Sequence, residues 1–245
     1  MRFDVISLFP SWFDSFKELG VVSRAFSTGA VRLNTWNPRD FTDTAYRNVD
    51  DRPFGGGPGM VMMAEPLERC IHAIKTDVQS SVMVQHEITP TVIYLSPQGQ
   101  TLNQKMVEYI AKLPAITLLC GRYEGVDQRL IDRCVDQEVS VGDYVLSGGE
   151  IAAAALIDAV VRLIPGVLND QQSVKQDSFS ADEDLLDCDH YTRPEVYQGL
   201  PVPDVLLSGH HRLIEQWRHQ SAIENTKRKR PDLWLKYQQK NQSKK

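Results

Sequence analysis

The sequence lacks the features that define several large classes of protein. No apolar run approaches the roughly 20 residues of a membrane-spanning helix, and the amino-terminal stretch 1–6 carries Asp4 inside its only early apolar segment, unlike a secretory signal. The four cysteines show no CxxC spacing, and the adjacent His210 and His211 cannot both face one metal ion from a helix. We therefore expect a cytoplasmic protein with reduced, mostly buried thiols, no metal ligands and no membrane contact.

Two signatures of nucleotide-binding proteins are also absent. The glycine-rich run from Asp50 to Met60 is not followed by the Lys-Ser/Thr of a P-loop, and it contains no G-x-G-x-x-G. Its glycines remove steric limits on the approach of the backbone to a ligand. The run is equally consistent with a flexible loop, so it does not identify a site by itself.

Positive charge is scarce in most of the chain and concentrated at its end. The formal net charge is −5, yet residues 211–245 hold ten Lys/Arg against three Asp/Glu, which gives +7 there and −12 for the first 210 residues. Trp217, Trp234 and Tyr237 are interleaved with the basic run 227–230. This pattern favours a phosphate backbone and stacking bases as partners. The alternative is a solvated basic helix that ends in a Lys-rich tail.

Apolar strands alternate with helical patterns through the middle of the sequence. With 245 residues and 42% apolar composition, the chain can bury a full core in one or two domains. Continuous apolar strands between helices predict an α/β fold, with a parallel sheet covered by helices on both faces. The predicted strands are 91–95, 116–120 and 139–141, and the helices that follow them are 101–113, 127–135 and 150–164.

Glycine or proline follows each of these predicted strands. Ligands of parallel sheets bind at the carboxyl ends of the strands, so the stretches 96–97, 121–122 and 142–149 are expected to share one pocket. Tyr123 and Glu124 supply a ring and a carboxylate that could hold a purine and an amine or a ribose. The alternative for this stretch is an ordinary turn with Asp127 as a helix cap.

Polar composition divides the rest of the chain. Residues 77–90 are loop-like and are interpreted as a surface insertion, and residues 168–189 are too polar to pack. The sequence therefore predicts a large domain at 1–167, a mobile linker at 168–189 and a small helical domain at 190–245.

Several long motifs resemble one family in their order along the chain. The resemblance is to the TrmD family of bacterial tRNA (guanine-37-N1)-methyltransferases, within the SPOUT superfamily. The motifs that carry it are Ser7-Leu8-Phe9-Pro10, Pro38-Arg39-Asp40-Phe41, Asp50 to Met60, Tyr94-Leu95-Ser96-Pro97-Gln98-Gly99, Cys120 to Asp127, Gly142 to Glu150, Ile164-Pro165-Gly166-Val167-Leu168 and His190-Tyr191-Thr192-Arg193-Pro194-Glu195.

The resemblance implies a fold, a reaction and partners. It implies S-adenosylmethionine (SAM) bound in a trefoil knot, a homodimer with its active sites at the subunit interface, and methylation of N1 of guanine 37 in tRNA. Knots are so rare that no sequence pattern here would predict one. The family is thought to need a divalent ion such as Mg²⁺, and no constellation of carboxylates in the sequence fixes a site for it.

The family's SAM-binding residues map onto the three loops expected to form the pocket. In this chain they are Tyr94, Leu95, Ser96, Pro97, Gly121, Tyr123, Glu124, Gly125, Val141, Gly142, Asp143, Tyr144, Val145, Leu146, Gly148 and Gly149.

The family's general base corresponds to Asp177, and its partner arginine corresponds to Arg162. A base is needed because guanine N1 carries a proton at neutral pH, and a cation near O6 would stabilise the charge that develops there. The alternative for Arg162 is an i, i+4 pair with Asp158. The linker is two residues longer than the family pattern, so Asp182 and Asp184 remain alternatives to Asp177, which its position before Ser178-Phe179 favours.

Two other functions remain open. One is a knotted methyltransferase that acts on another position of RNA, such as a ribose hydroxyl, where no base beside Ser178-Phe179 would be needed. The other is a SAM- or RNA-binding protein without catalysis, against which Asp177 and Arg162 argue.

Overall fold

A five-stranded parallel sheet organises the first part of the chain in the computed structural model, which describes residues 1–81, 88–168, 177–179 and 185–242. The strand order is β2-β1-β6-β5-β7, and two short antiparallel pairs, β3-β4 and β8-β9, lie outside this sheet. The strands are β1 (Arg2–Ile6), β2 (Arg32–Trp36), β3 (Asp50–Asp51), β4 (Val61–Met62), β5 (Thr91–Thr101), β6 (Ala115–Cys120), β7 (Gln137–Ser140), β8 (Val196–Tyr197) and β9 (Leu200–Pro201).

Helices occupy the connections between these strands and most of the end of the chain. A 3₁₀ helix spans Pro38–Phe41. The α-helices are α1 (Trp12–Phe16), α2 (Gly20–Ser27), α3 (Ala64–Ser81), α4 (Gln104–Ile110), α5 (Gln128–Cys134), α6 (Glu150–Val161), α7 (Asp204–Leu207), α8 (His211–Lys229) and α9 (Pro231–Gln242).

Side chains from the two faces of the sheet pack into two separate apolar clusters. Every residue of the central strand β6 is buried, and its Leu118 and Leu119 point into different clusters, because successive strand residues face opposite sides. Leu156 of α6 joins the Leu118 cluster, and Ile71 of α3 joins the Leu119 cluster. Helices therefore cover both faces of the sheet, and the predicted α/β fold with a parallel sheet is confirmed.

The first predicted strand differs from the prediction at its carboxyl end. We predicted that it stops at Leu95, but β5 continues to Thr101, and Leu95 and Gln100 both align with Val139 of β7. Residues 96–99 therefore form an irregularity within the strand. Gly99 allows this close approach, because a Cβ atom there would lie 2.4 Å from the backbone carbon of Glu138.

The next helix begins later than predicted. It was predicted to begin at residue 101, but Thr101 lies in β5 and the N-cap of α4 is Asn103, whose side chain accepts a hydrogen bond from the Met106 N–H at 3.0 Å. The extension of β5 accounts for the shift, since it places Thr101 in the ladder with β7.

The prediction of a surface insertion at 77–90 is wrong for residues 77–81. Residues 77–81 belong to α3, where Val78 continues the buried stripe of Leu67, Ile71 and Ile74. Asp77 accepts a hydrogen bond of 2.5 Å from Arg2. The polar composition hid a helix with one apolar face, and residues 82–87 of the predicted insertion lie outside the described residues.

The chain divides into two units, Met1–Asn169 and Asp170–Lys245. The second unit contains the β8-β9 hairpin and the helices α7, α8 and α9. The domain boundaries at 167 and 189 stay predictions. Among the described residues, no helix is both long and apolar enough to cross a membrane.

The cysteines are all free thiols, as predicted, and all but Cys134 are buried. Burial raises the pKa of Cys70 to about 12 and that of Cys120 well above its usual value. Thiols of this kind are weak nucleophiles at neutral pH, because little thiolate is present.

Candidate functional site

A cleft with a volume of about 290 Å³ lies where β6 and β7 end in loops and where residues 96–99 interrupt β5. Every SAM-binding residue predicted from the sequence lines this cleft except Asp143, which is exposed in the third loop. Six further residues line the cleft that were not among the SAM-binding residues taken from the family, although Arg122 and Ser147 lie in the stretches expected to share a pocket and Gln98 lies in a family motif. They are Gln98, Arg122, Val139, Ser140, Ser147 and Ala152.

Tyr94 forms part of the cleft wall at the end of the first half of β5. Its ring is buried, and a Cβ atom on Gly121 would come within 2.9 Å of it. Burial raises the pKa of the Tyr94 phenol, so the group stays protonated at neutral pH. Glycine at 121 therefore lets the second loop lie directly against the ring of the first.

A buried ion pair joins the second loop to the start of α6. Arg122 Nη2 lies 2.8 Å from Oε2 of Glu150, whose side chain is 2% exposed. Ser7 donates a hydrogen bond of 2.6 Å to Glu150 Oε1, and Arg122 Nη1 donates one of 3.1 Å to the carbonyl of Ser147. The guanidinium also lies 4.6 Å from the ring centroid of Phe9. Arg122 thus connects loops that are far apart in the sequence, and no local motif predicted this link.

The third loop requires glycine where it contacts the second. The Gly149 N–H donates a hydrogen bond of 3.0 Å to the carbonyl of Gly121. A Cβ atom on Gly149 would lie 2.7 Å from the Cα of Cys120, and one on Gly148 would lie 2.2 Å from Arg122 Nε. Close approach to the backbone at Cys120 explains the glycine at 149, and close approach of the Arg122 side chain explains the glycine at 148.

The glycine-rich run from Asp50 to Met60 is attached to the second loop. The Glu124 N–H donates to the Met60 carbonyl at 2.9 Å, and the Met62 N–H donates to the Gly125 carbonyl at 2.9 Å. Gly59 has φ +83°, and a Cβ atom there would collide with the Glu124 side chain. The run is therefore anchored beside the cleft at its carboxyl end, a point that the sequence left open.

Asp177 lies in the second unit, in a short described stretch next to Ser178 and Phe179. The Asp187 N–H donates a hydrogen bond of 2.9 Å to Ser178 Oγ, and the Phe179 N–H donates one of 2.8 Å to the Leu185 carbonyl. The two alternative bases, at positions 182 and 184, lie outside the described residues.

Arg162 is distant from the cleft within one chain. It follows the last residue of α6, whereas Gly149 and Ala152 line the cleft at the first turn of this helix. Twelve residues of α-helix separate the two ends, which corresponds to about 18 Å. A single chain therefore does not bring Arg162 together with the cleft.

The side chains of Asp187, Cys188 and His190 place three potential ligand atoms within 4.8 Å of one another. They already interact, because Asp187 accepts a hydrogen bond of 2.7 Å from the Cys188 N–H, and its other oxygen lies 2.9 Å from His190 Nε2. The sequence expectation of no metal ligands stays a prediction.

Some of the basic residues that the sequence assigned to RNA contacts are engaged within the second unit. Arg230 forms two hydrogen bonds with Asp232, at 2.9 and 2.7 Å, and Lys229 lies 3.7 Å from Asp189. Aromatic rings also pair there, with Trp234 and Tyr237 stacked at 5.5 Å.

Comparison with known proteins identifies close relatives of the whole chain. The family model described as tRNA (Guanine-1)-methyltransferase TrmD matches residues 1–236. A tRNA (guanine-N(1)-)-methyltransferase of Ralstonia nicotianae is 60% identical over 233 residues, which cover 95% of this chain and 86% of the relative. A Burkholderia mallei protein of the same description is 58% identical over the same shares.

A solved structure matches as well. The crystal structure of a tRNA (m1G37) methyltransferase from Aquifex aeolicus is 41% identical, with a TM-score of 0.74. The match covers 96% of this chain and 95% of the other.

Proposed function

This chain belongs to the TrmD family of tRNA (guanine-1)-methyltransferases, as its motifs indicated, and we propose that it methylates N1 of guanine 37 in tRNA with SAM as the donor. The observation that carries the proposal is the cleft. Residues chosen from the sequence as SAM contacts, from three separate loops, converge on one cavity.

The residues of the cleft fit SAM in size and chemistry. Its volume of about 290 Å³ is close to the lower end of the usual range for ligand pockets, about 300–1,000 Å³. Leu95, Leu146 and Ala152 provide apolar surface for a purine, and Glu124 provides a carboxylate for an amine. Bound SAM supplies a methyl group on a sulfonium, and the protein's part is to orient it and to exclude water.

Asp177 acts as the general base in this proposal. The N1–H of guanine donates to the Asp177 carboxylate, which accepts the proton as N1 becomes the nucleophile. Arg162 stabilises the negative charge that then develops on guanine O6. The family motifs assign both roles, and the resemblance supports them across residues 1–236.

We also propose that the active site is completed by a second copy of the chain. The position of Arg162 at the far end of α6 from the cleft supports this, because one subunit alone leaves the two apart. Apolar side chains near the cleft are exposed, with Val145 at 86% and Ile151 at 55%, and such surfaces are often covered by a partner.

Three further expectations of the family belong to the proposal. The cleft loops form a trefoil knot, which membership of the family supports. The basic second unit binds the tRNA backbone, and the enzyme works in the cytoplasm, where tRNA is the substrate. A divalent ion such as Mg²⁺ assists the reaction, at a site that the described residues do not indicate.

One experiment tests the reaction. The purified protein is incubated with methyl-labelled SAM and unmodified tRNA, with and without EDTA, and the labelled nucleotide is mapped. We expect label on N1 of guanine 37. Label on a ribose or on another base would overturn the assigned position, and binding of both ligands without transfer would indicate a non-catalytic protein.

A further inference from the structure

Three polar residues of α8 are buried, although the rest of this helix is partly or fully exposed. Ser221, Asn225 and Thr226 are the only described residues of α8 that are buried. Polar side chains are rarely buried unless hydrogen bonds satisfy them. Their partners therefore show what this face of the helix holds.

The buried face of α8 holds the segment 185–189, mainly through the backbone of that segment. The Leu186 N–H donates a hydrogen bond of 2.8 Å to Thr226 Oγ1, and the Asp189 N–H donates one of 3.0 Å to Ser221 Oγ. Between them, Asn225 Nδ2 donates to the Asp187 carbonyl at 3.2 Å and to Asp189 Oδ1 at 2.9 Å. All three buried polar side chains of α8 are therefore hydrogen-bonded to this segment.

The orientation of the Asn225 amide is itself fixed. Arg228 Nη2 donates a hydrogen bond of 3.1 Å to Asn225 Oδ1, which leaves the NH₂ group to face the segment. The bond from Asn225, together with the charges of Lys229 and Arg228, holds the pKa of Asp189 below its usual value. Asp189 is thus ionised at neutral pH and remains an acceptor for Asn225.

The same segment holds the residues beside Asp177. The Asp187 N–H donates to Ser178 Oγ at 2.9 Å, and the Leu185 carbonyl accepts from the Phe179 N–H at 2.8 Å. Successive N–H groups of an extended chain point in opposite directions, so the N–H of Leu186 reaches Thr226 while that of Asp187 reaches Ser178. The adjacent residues Leu186 and Asp187 therefore link Thr226 of α8 to Ser178, the residue that follows Asp177.

We propose that Ser221, Asn225 and Thr226 are positioning residues for methyl transfer, because they fix the segment 185–189 and, through Ser178, the placement of Asp177. The inference rests on the proposed role of Asp177 as the base. None of the three residues is assigned a contact with SAM or guanine. The helix that carries the basic run 227–230 therefore also sets the geometry of proton removal.

The test removes two hydroxyl groups without changing the shape of the helix. The variants are Ser221→Ala, Thr226→Val and the double variant, with Thr226→Ser as the rescue that restores the hydroxyl. Gln220→Ala is the matched control, since Gln220 is exposed on the same helix and its amide donates a hydrogen bond to Glu224. In the double variant we expect kcat to fall about tenfold to a hundredfold, as for other small displacements of catalytic groups, with unchanged SAM affinity.

The pH profile separates positioning from a loss of folded protein. Higher pH removes the N1 proton without help from a base, so the deficit of the double variant should shrink as the pH rises. A defect of folding would lower kcat by the same factor at every pH. Thr226→Ser keeps a hydroxyl at this position, so its pH profile should match that of the unmodified enzyme. The profile of Gln220→Ala should match it as well.

Amide hydrogen exchange gives a readout that does not depend on activity. The peptide that contains Leu186 and Asp189 should exchange faster in the double variant, because its two acceptors are gone. Faster exchange with normal kcat would overturn the proposal, as would unchanged exchange. If Asp177→Asn has normal activity, the role of Asp177 as the base is wrong. If Asp177→Asn is inactive while the double variant is normal, only the positioning role is wrong.

Discussion

The cleft and the stretch around Asp177 are held in place by different kinds of contact. The cleft loops are joined by backbone hydrogen bonds and by the buried pair of Arg122 and Glu150, on strands whose apolar residues form the core. The Asp177 stretch is bonded to residues 185 and 187, and hydroxyl and amide groups of α8 bond the backbone of residues 186, 187 and 189. The cleft is therefore built into the sheet, whereas the stretch beside Asp177 is held by polar contacts with residues outside the sheet.

The largest expected effect comes from Asp177, the proposed base. Asp177→Asn removes the proton acceptor and keeps the size of the side chain, so kcat should fall by about 10²- to 10⁴-fold. SAM affinity should not change, because Asp177 is not among the residues that line the cleft. Single-turnover transfer to tRNA and calorimetric titration with SAM measure the two quantities.

A matched control for this variant is Asp204→Asn, an exposed carboxylate at the first turn of α7 in the same unit. It should behave like the unmodified enzyme. If Asp177→Asn turns over normally and Asp184→Asn does not, the two extra residues of the linker have moved the base to position 184.

Among the residues of the cleft, substitution of Arg122 should have the largest effect. Arg122→Met leaves the Glu150 carboxylate buried without its cation, so the free energy of unfolding should fall by roughly 3 kcal/mol. SAM should also bind more weakly, because Arg122 joins the second loop to the third. SAM titration and chemical denaturation measure these changes, the latter at one fixed protein concentration because the proposed dimer would make stability depend on concentration.

The control for Arg122 is Arg129→Met, which breaks the exposed pair between Arg129 and Asp127. Exposed ion pairs contribute about 0–1 kcal/mol, so this variant should be nearly neutral. Equal decreases in stability from both substitutions would show that the buried pair has no special role.

Substitution of Tyr144 should have a smaller effect, confined to the binding of SAM. Its ring is 56% exposed in the third loop and lies over Gly142, where a Cβ atom would come within 2.5 Å of it. Tyr144→Ala should weaken SAM binding about tenfold, or about 1.4 kcal/mol, with little change in the free energy of unfolding. Unchanged SAM titration would remove this loop from the proposed donor site.

The same contrast explains what the sequence could predict. The apolar run Ile116–Cys120 and the glycines 121, 148 and 149 predicted a strand and its loops, because burial and backbone approach leave local patterns. The link from Arg122 to Glu150 spans 28 positions and the link from Leu186 to Thr226 spans 40, and neither has a local pattern. Motif resemblance supplied Asp177 and Arg162, but it could not show what holds them.

The smallest expected effect concerns the basic run 227–230 at the end of α8. Its residues differ in their exposure and in their contacts within the second unit. Lys227 is exposed, whereas Arg228 bonds Asn225 and Arg230 bonds Asp232. If the run binds tRNA phosphates, removal of each cation that neutralises a phosphate should reduce the slope of log affinity against log salt by roughly 0.7–0.9.

Because Arg230 is already engaged with Asp232, we expect the variant with Lys227→Ala, Arg228→Ala and Arg230→Ala to remove fewer than three phosphate interactions, and Lys227→Ala alone to account for one. The tRNA Michaelis constant should rise while SAM affinity stays constant, as measured by transfer assays across a salt series. Lys105→Ala in the first unit is the control for the removal of one exposed cation. If the triple variant and the control give the same salt slope as the unmodified enzyme, the basic run is a solvated face, and tRNA is bound by other residues of the second unit.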